Sequence, residues 1–298
     1  MVRERVERLD RRLRAMSADV SWTRIRDAIA RGQVSVDDRI VRDPGALVDD
    51  RAEVVFDPAR KRLPHARIEL ARLYEDDDIL VIDKPAGLLT MATAAETRHD
   101  EDTVLARAKE YASHLRGRRG YAGLLHRLDR DTSGAMALAL SREAHARGRE
   151  LFAAHAFERH YLAIVHGIPE RDEGTVEAAV SHAYASGRRR LARGAESGRD
   201  AVTHYIVRER FEDAALVELE LETGRQHQIR LHMQSLGHPL VGEKVYGGAS
   251  GATRQMLHAW RLAFPHPLHG TTIRVEAPLP DDFMRVLRSL RARARAAR

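Results

Sequence analysis

The densest group of polar side chains in the sequence occupies residues 126–134, which read HRLDRDTSG. Seven of these nine residues carry carboxylate, guanidinium, imidazole or hydroxyl groups, which can bind anions or take part in nucleophilic and acid-base steps. The apolar run AMALAL follows at once and predicts a buried strand. Functional groups are usually held on loops beside such rigid elements, so residues 126–134 are a candidate functional loop. The alternative is a hydrogen-bonded turn in which Asp129 pairs with Arg127 or Arg130.

A second polar group occupies residues 223–232, which read TGRQHQIRLH. It follows a predicted strand and opens a helix predicted over residues 225–236. Backbone N–H groups and several cations therefore meet at one helix start, an arrangement that favours anions. A capped helix with a solvated face is the alternative interpretation.

Composition and spacing exclude several kinds of site. The sequence contains no Cys, which excludes disulfides, thiolate metal ligands and a thiol nucleophile. The histidines His126, His227, His232 and His258 show no spacing such as HExxH, so no metal site is predicted.

The two polar groups must be positioned by a fold that mixes strands and helices. Residues 79–82 predict a buried strand ending in a turn at residues 83–87, which contains Pro85 and Gly87. Further strands are predicted at residues 135–140, 160–165, 201–208 and 215–221, and helices at residues 141–156 and 225–236. The pattern predicts an α+β fold that begins near Leu70.

A small helix-helix-strand module is predicted in front of this fold. Its first helix lies within residues 7–17, and its second begins at Ser21 and ends at Gly32. The side chains expected to face its core are Leu9, Leu13, Met16, Trp22, Ile25 and Ile29. Those expected to face outward are Arg24, Arg26 and Arg31. Short strands are predicted at residues 34–36, 40–41 and 54–56.

The charge distribution favours a polyanionic partner. The chain has 50 basic and 44 acidic residues, a net charge of +6 and an isoelectric point near 9.9. The base composition of the genome could explain the excess of Arg over Lys, but it does not explain why the arginines cluster. Clusters at residues 116–119, 188–193 and 285–298 favour nucleic acid binding. Because no apolar run approaches the roughly 18 residues that cross a bilayer, a cytoplasmic protein is expected.

The polar groups and several shorter motifs occur in an order typical of one enzyme family. The motifs are KPAGL at 84–88, HRLD at 126–129, TSG at 132–134, RHYLA at 159–163, GRQHQIRLH at 224–232 and LHAWRL at 257–262. Over about residues 70–285 the chain resembles the RluA-type pseudouridine synthases. Residues 1–57 resemble the S4 RNA-binding domain, a common companion in that family. The resemblance implies a catalytic domain with a mixed, largely antiparallel β-sheet and flanking helices.

The resemblance implies isomerisation of uridine to pseudouridine in RNA, which requires no metal and no cofactor. The bond from C1′ to N1 breaks, and the base rejoins the sugar through C5. The resemblance makes Asp129 the nucleophile and Arg230 the cation that keeps it ionised. It also makes Tyr161 the ring that packs on the target uracil, with a hydroxyl that is a candidate for handling the C5 proton. Attack by Asp129 at C1′ and attack at C6 both stay open.

RNA contacts are predicted around this site and in the N-terminal module. The target uridine must leave its stack, and Arg127 is expected to fill the vacated space. The other predicted contacts are His126, Arg130, Lys84, Arg225, His227, Gln228, Arg24, Arg26 and Arg31. Ribosomal RNA is expected because S4-like modules bind folded RNA, with tRNA as the alternative. A monomer is expected.

Two other kinds of protein fit the sequence less well than an isomerase. A non-catalytic RNA-binding factor of ribosome assembly could lose Asp129, Tyr161 or Arg230, but all three are present. A nucleoside or glycoside hydrolase would normally show a pair of acids and admit water. The acid nearest to Asp129, Asp131, stands in a turn-like position. At residue 243 the sequence has Glu where Asp is more usual in the family. This departure affects which substrate is expected and does not change the expected reaction.

The predicted organisation has four parts. Residues 1–57 form the S4-like module, residues 58–69 a linker, residues 70–285 the catalytic domain and residues 286–298 an Arg-rich tail.

Overall fold

A computed structural model describes most of the chain. The described residues are 6–17, 19–60, 70–92, 102–116, 120–182, 188–192, 197–247 and 251–296. Two compact units, residues 1–69 and residues 70–298, make up the chain. Most of the predicted linker, together with Arg118, Arg119 and Arg193, lies outside the described residues.

The first unit contains two helices and two small sheets. Its elements are β1 Val6–Arg8, α1 Leu9–Met16, α2 Trp22–Ala30, β2 Val34–Val36, β3 Arg39–Ile40, β4 Leu47–Asp49 and β5 Val54–Phe56. Strand β1 pairs with β4, and β2 pairs with both β3 and β5. The buried core contains Leu9, Leu13, Ile25 and Ile29, which repeat at helical spacing on α1 and α2. The Ser21 side chain caps α2 by accepting the Arg24 N–H.

Three predictions about side-chain direction in this unit are wrong. Trp22 is 43% exposed and Met16 is 58% exposed, because both lie at helix ends that the core does not cover. The Trp22 ring is covered instead by the Arg26 guanidinium, whose Cζ lies 5.5 Å from the ring centroid. Arg31 is buried and its Nε donates to Asp27 at 3.0 Å. It follows the last residue of α2, so the helical period no longer sets its direction.

The second unit is built on one large sheet. Its strands are β6 Ala71–Glu75, β7 Ile79–Lys84, β8 Gly123–Leu124, β9 Ser133–Ala139, β10 Glu158–His166, β11 Glu173–Glu177, β12 Val180–Ser181, β13 Gly198–Arg199, β14 Val202–Arg210, β15 Ala214–Leu221, β16 Leu257–Pro265 and β17 Thr272–Glu276. Its helices are α3 Val104–Arg116, α4 Arg142–Ala153, α5 Gln228–Ser235 and α6 Asp281–Ala296. The large sheet runs in the order β11-β14-β15-β10-β16-β9-β7-β6, with β17 beside β16 and β8 beside β9. Its described pairs are antiparallel except β16 with β9, which confirms the predicted α+β class and largely antiparallel sheet.

Helices cover both faces of this sheet. In β7, Leu80 and Ile82 pack in the cluster that contains residues of α3 and α5, whereas Ile79 and Val81 pack in the cluster of α4. Successive strand residues point to opposite faces, so a strand buried on both faces is apolar throughout. The periodicity of β7 and β9 therefore predicts a buried strand without showing which face carries the site.

The C-terminal segment is not a loose tail. Residues 281–296 form α6, whose Phe283, Leu287 and Leu290 are buried against the sheet. Arg291 forms an ion pair with Glu209, and Arg293 pairs with Asp213. The prediction of an Arg-rich tail overlooked that Phe283, Leu287 and Leu290 lie on one helical face. Helix α3 and strands β16 and β17 were also not predicted. No described helix is long and apolar enough to span a membrane.

Candidate active site

Asp129 lies in the loop between β8 and β9, and a buried lysine holds this loop in place. The Lys84 Nζ donates to the backbone carbonyls of Pro85, Arg130 and Thr132 at 2.8 to 2.9 Å. Lys84 is fully buried, and burial lowers the pKa of its ammonium group to about 7. All three donors of the ammonium are used by the protein, so the predicted phosphate contact of Lys84 is wrong.

A buried threonine fixes the other side of the loop. The Thr90 hydroxyl donates to the carbonyl of Leu128 at 2.7 Å and accepts the Leu128 N–H at 3.3 Å. Because Leu128 precedes Asp129, the backbone is held on both sides of the carboxylate. Sequence reasoning did not find Thr90, since nothing in its local pattern marks it.

The structure brings Asp129 and Arg230 together across 101 residues of sequence. Arg230 Nη1 donates to Asp129 Oδ2 at 3.2 Å, while Nε and Nη2 donate to the two oxygens of Glu243 at 2.6 and 2.8 Å. Burial opposes the charge of Arg230, but the hydrogen bonds to Glu243 and the nearby Asp129 raise its pKa overall. Glu243 is fully buried and also accepts the Val245 N–H. Two sides of the guanidinium fork are therefore fixed by Glu243, which leaves Nη1 aimed at Asp129.

Tyr161 lies on β10, on the sheet face that carries α3 and α5. The pairing of β10 with β16 shifts register between His160 and Tyr161, and such irregularities redirect side chains. Tyr161 is buried, and burial raises the pKa of its phenol, so the hydroxyl keeps its proton at neutral pH.

Asp129, Tyr161 and Arg230 line one cavity of about 700 Å³. Its wall also includes five arginines: Arg127, Arg149, Arg159, Arg199 and Arg225. Asp129 is the only acid among the described residues of that wall. The cavity is therefore a cationic pocket with one carboxylate, a composition suited to a polyanionic substrate that reacts at that carboxylate.

A family model for RNA pseudouridylate synthase matches residues 78–235 of the chain, which include Asp129, Tyr161 and Arg230. The chain belongs to this family. The prediction from the motifs is confirmed, and the protein is an RNA pseudouridine synthase.

Several known proteins match most of the length of this synthase. "Ribosomal large subunit pseudouridine synthase D" of Xanthomonas campestris pv. campestris is 38% identical, with 97% of this chain and 91% of that protein covered. A Bacillus subtilis (strain 168) protein described as "Uncharacterized RNA pseudouridine synthase YlyB" is 34% identical, covering 97% of this chain and 95% of its own. The solved structure of "Human RNA Pseudouridylate Synthase Domain Containing 4" superposes with a TM-score of 0.62 at 25% identity, over 74% of this chain and 93% of that one.

Two predicted RNA contacts of the synthase line the cavity but have polar atoms that are occupied by the protein. The Nε2 atom of buried His126 accepts the Ala137 N–H at 3.0 Å, and burial lowers the pKa of this imidazole to about 3. The Gln228 amide is also buried, and its nitrogen donates to Val202 O and Thr203 Oγ1. His126 thus supports β9, and Gln228 attaches the start of α5 to β14.

The remaining predicted contacts of the catalytic unit lie at the cavity or beside it. Arg127 is exposed on the cavity wall, and Arg130 is exposed three residues from it in the loop. Arg225 lines the cavity while its Nε donates to Asp200 O at 3.0 Å. His227 lines the cavity next to Asp129. Arg24 and Arg26 are exposed on α2 of the first unit, where Arg26 pairs with Asp10.

Arg159 is a site residue that the predictions did not include. It precedes Tyr161 by two residues and is buried, and its Nη2 donates to the carbonyls of Leu221 and Glu222 at 3.0 Å. Its guanidinium lies 4.9 Å from the Phe152 ring centroid. The motif RHYLA contained this arginine, and only the fold shows that it lines the cavity. In the described part of the chain, no three acidic or histidine side chains converge as metal ligands would.

Proposed function

We propose that this synthase isomerises uridine in large-subunit ribosomal RNA with Asp129 as the nucleophile. The observation that carries the proposal is that Asp129 is the one acid among the described residues of a cationic cavity, where it pairs with Arg230 and shares the wall with Tyr161. Relatives named as large-subunit ribosomal RNA synthases in three bacteria, at 35% to 38% identity over at least 95% of this chain, support the choice of RNA.

The geometry leaves one oxygen of Asp129 for reaction. Oδ2 accepts from Arg230, whereas Oδ1 has no hydrogen-bond partner among the described residues. The carboxylate form of Asp129 is the form that can attack, and Arg230 places a cation beside it. Attack at C1′ or at C6 would both use Oδ1. In either case the C1′ to N1 bond breaks, C5 bonds to C1′, the bond from Asp129 to C1′ or C6 breaks again, the C5 proton leaves and N1 gains a proton.

Tyr161 has two proposed roles that can be separated. Its ring forms part of the cavity wall, where it can pack against a uracil and retain it while the base turns. Its hydroxyl could take the proton from C5, but a phenol with a raised pKa stays protonated and is a weak base. The structure therefore favours packing as the main contribution of Tyr161.

Extrusion of the uridine is assigned to Arg127, the exposed arginine that precedes Asp129 in the loop between β8 and β9. Flipping costs a few kcal/mol, which contacts with the protein must offset. Arg127 has no side-chain hydrogen bond to a described residue and lies two residues before Asp129, so its planar guanidinium can enter the vacated stack. The remaining cavity arginines would hold the neighbouring phosphates.

The composition of the cavity wall argues against a hydrolase. A glycosidase uses two carboxylates on either side of the anomeric carbon, and the described wall offers only Asp129. Asp131 does not line the cavity, and its carbonyl accepts from Arg254.

The proposal is tested with RNA labelled with tritium at C5 of uridine. We expect release of tritium to water from large-subunit ribosomal RNA, with no free uracil. Release of uracil would indicate hydrolysis, and binding without release of tritium would indicate a non-catalytic factor. The identity of the substrate RNA is tested by mapping pseudouridines in a deletion strain. Loss of pseudouridine from tRNA alone would refute the assignment to ribosomal RNA.

A further inference from the structure

His227 stands at an unusual point of the backbone beside Asp129. It immediately precedes α5 and has a φ of 61°, in the left-handed region that residues other than Gly seldom occupy. Such conformations cost free energy and are concentrated at functional sites. The conformation places the imidazole in the cavity wall, with Nε2 3.8 Å from Asp129 Oδ2.

The hydrogen bonds around His227 favour one of its two neutral tautomers. The Tyr246 hydroxyl accepts the backbone N–H of Arg189 at 2.9 Å and lies 2.6 Å from His227 Nδ1. A neutral phenol has one proton to donate, and burial raises the pKa of Tyr246, so that proton is present. The Arg189 N–H cannot accept it. With its oxygen accepting from Arg189, the hydroxyl can donate its proton to Nδ1, and this arrangement leaves Nδ1 unprotonated and the proton of a neutral ring on Nε2.

A neutral ring fits the charges that face His227. These are Asp129, Arg230, Glu243 and Arg189, two acids and two cations. The acids raise the pKa of His227 and the cations lower it, while burial is the largest influence and lowers it. The ring is consequently neutral at pH 7, and when Nδ1 accepts from Tyr246 the proton lies on Nε2, on the side of the Asp129 carboxylate.

We propose that His227 is a positioning residue that holds the Oδ2 side of Asp129 through an Nε2–H donor whose tautomer is set by Tyr246. This inference rests on the proposed role of Asp129 as nucleophile. A distance of 3.8 Å is too long for a hydrogen bond in the free protein, and such contacts tighten when substrate closes the site. With Arg230 and His227 both directed at Oδ2, Oδ1 is the oxygen that faces the substrate.

The exchange His227→Asn separates positioning from structural support. Asn tolerates the left-handed conformation and its amide oxygen can accept from Tyr246 at the place of Nδ1. It has no group at the place of Nε2. We expect kcat to fall about 10- to 100-fold, as for a misplaced reacting group, with KM for RNA changed less than threefold. His227→Gln places an amide N–H near the position of Nε2 and should recover part of kcat.

Controls distinguish this loss from unfolding. Among the described residues, His155 is the other histidine with a positive φ, 58°, so the change in Tm of His155→Asn shows what the same exchange costs in stability. A His227→Asn variant with wild-type kcat would overturn the proposal. Equal kcat values for His227→Asn and His227→Gln, both reduced, would also overturn it, because a structural role needs no donor at Nε2.

The tautomer is measured independently of turnover. Nitrogen-15 NMR of histidine-labelled full-length protein, with His227→Asn to assign the signals, should show a neutral ring protonated at Nε2 at pH 7. Tyr246→Phe removes the donor to Nδ1 and should produce a mixture of tautomers. An Nδ1-protonated or cationic ring in the wild type would refute the inference. An active Asp129→Asn variant would instead refute the proposed nucleophile, whatever tautomer is found.

Discussion

The buried cations that contact the loop of Asp129 and the exposed cations of the cavity wall carry the same charge but have different partners. Lys84 and Arg230 are buried, and protein oxygens occupy their donors. Arg127 is exposed and has no such partner among the described residues. The residue type therefore does not tell whether a cation binds RNA or supports the site. The difference lies in burial, because a buried cation without partners is too costly to keep.

The largest loss of activity is expected from a substitution of Asp129, in the loop between β8 and β9. Asp129→Asn removes the nucleophile with almost no change in volume, so pseudouridine formation should be abolished while RNA affinity stays within a few fold. Tritium release and a binding titration measure the two quantities on the same preparation. Turnover by the pure variant above background would remove Asp129 from its role.

The second effect concerns the cation that pairs with Asp129. Arg230→Ala should lower kcat about 10²- to 10³-fold, the usual loss for one removed electrostatic partner. It should also destabilise the protein by about 3 to 5 kcal/mol, because Glu243 is left buried without its cation. Arg230→Lys is the matched variant, since it retains charge but cannot make the fork. If Arg230→Ala reduced only the affinity for RNA and left kcat unchanged, Arg230 would bind RNA like the arginines of the cavity wall and would not support Asp129.

The third largest loss of activity is expected from a substitution of Arg127 on the cavity wall. Arg127→Ala should lower kcat/KM about tenfold to a hundredfold through poorer extrusion of the uridine, with Tm unchanged because the exposed Arg127 side chain has no hydrogen bond or ion pair to a described residue. An RNA that carries the target uridine in an unpaired site should recover much of the loss. Equal losses on stacked and unpaired uridines would contradict the proposed role in base flipping.

The fourth prediction concerns the pH dependence of stability and tests whether His126 is buried as a neutral ring. The pKa of His126 is lowered to about 3 in the folded protein, whereas an unfolded histidine titrates near 6.5. The unfolded state therefore binds the proton first as pH falls, and stability contributed by the neutral ring is lost from about pH 6.5 downward. Between pH 6.5 and 5 the loss should be about 2 kcal/mol.

The variant His126→Gln keeps an acceptor for the Ala137 N–H and has no titrating group. Denaturant titrations at both pH values should show the wild type losing about 2 kcal/mol more than this variant. Equal losses would mean that His126 is not held neutral in the folded protein.

The smallest effect on chemistry is expected from the first unit. Deleting residues 1–57 should leave kcat on saturating RNA nearly unchanged, because the proposed catalytic residues all belong to the second unit. Affinity should fall, and the slope of log affinity against log salt should flatten by roughly 0.7 to 0.9 for each lost contact of Arg24 or Arg26. Parallel salt slopes with turnover lost would mean that this unit stabilises the enzyme or binds a protein. Buried Arg31 is no longer expected to contribute.

Local patterns in the sequence were enough to predict much of the frame around the site. Apolar runs placed β7, β9, β10, β14 and β15 to within a few residues, because strand burial leaves a mark on consecutive positions. The order of the motifs indicated the family, which the comparisons confirm. The resemblance of the first unit to an S4 domain stays a prediction.

By itself, the sequence determined the family, the α+β class and the polar groups that contain Asp129 and Arg230. Tertiary structure alone decided which polar residues support the site and which face the cavity. Lys84 reaches Thr132 across 48 residues and Arg230 reaches Asp129 across 101, so no local pattern could show these partners. Secondary structure follows periodicities of two to four residues, whereas burial of a charge depends on oxygens that only the folded chain brings within 3 Å.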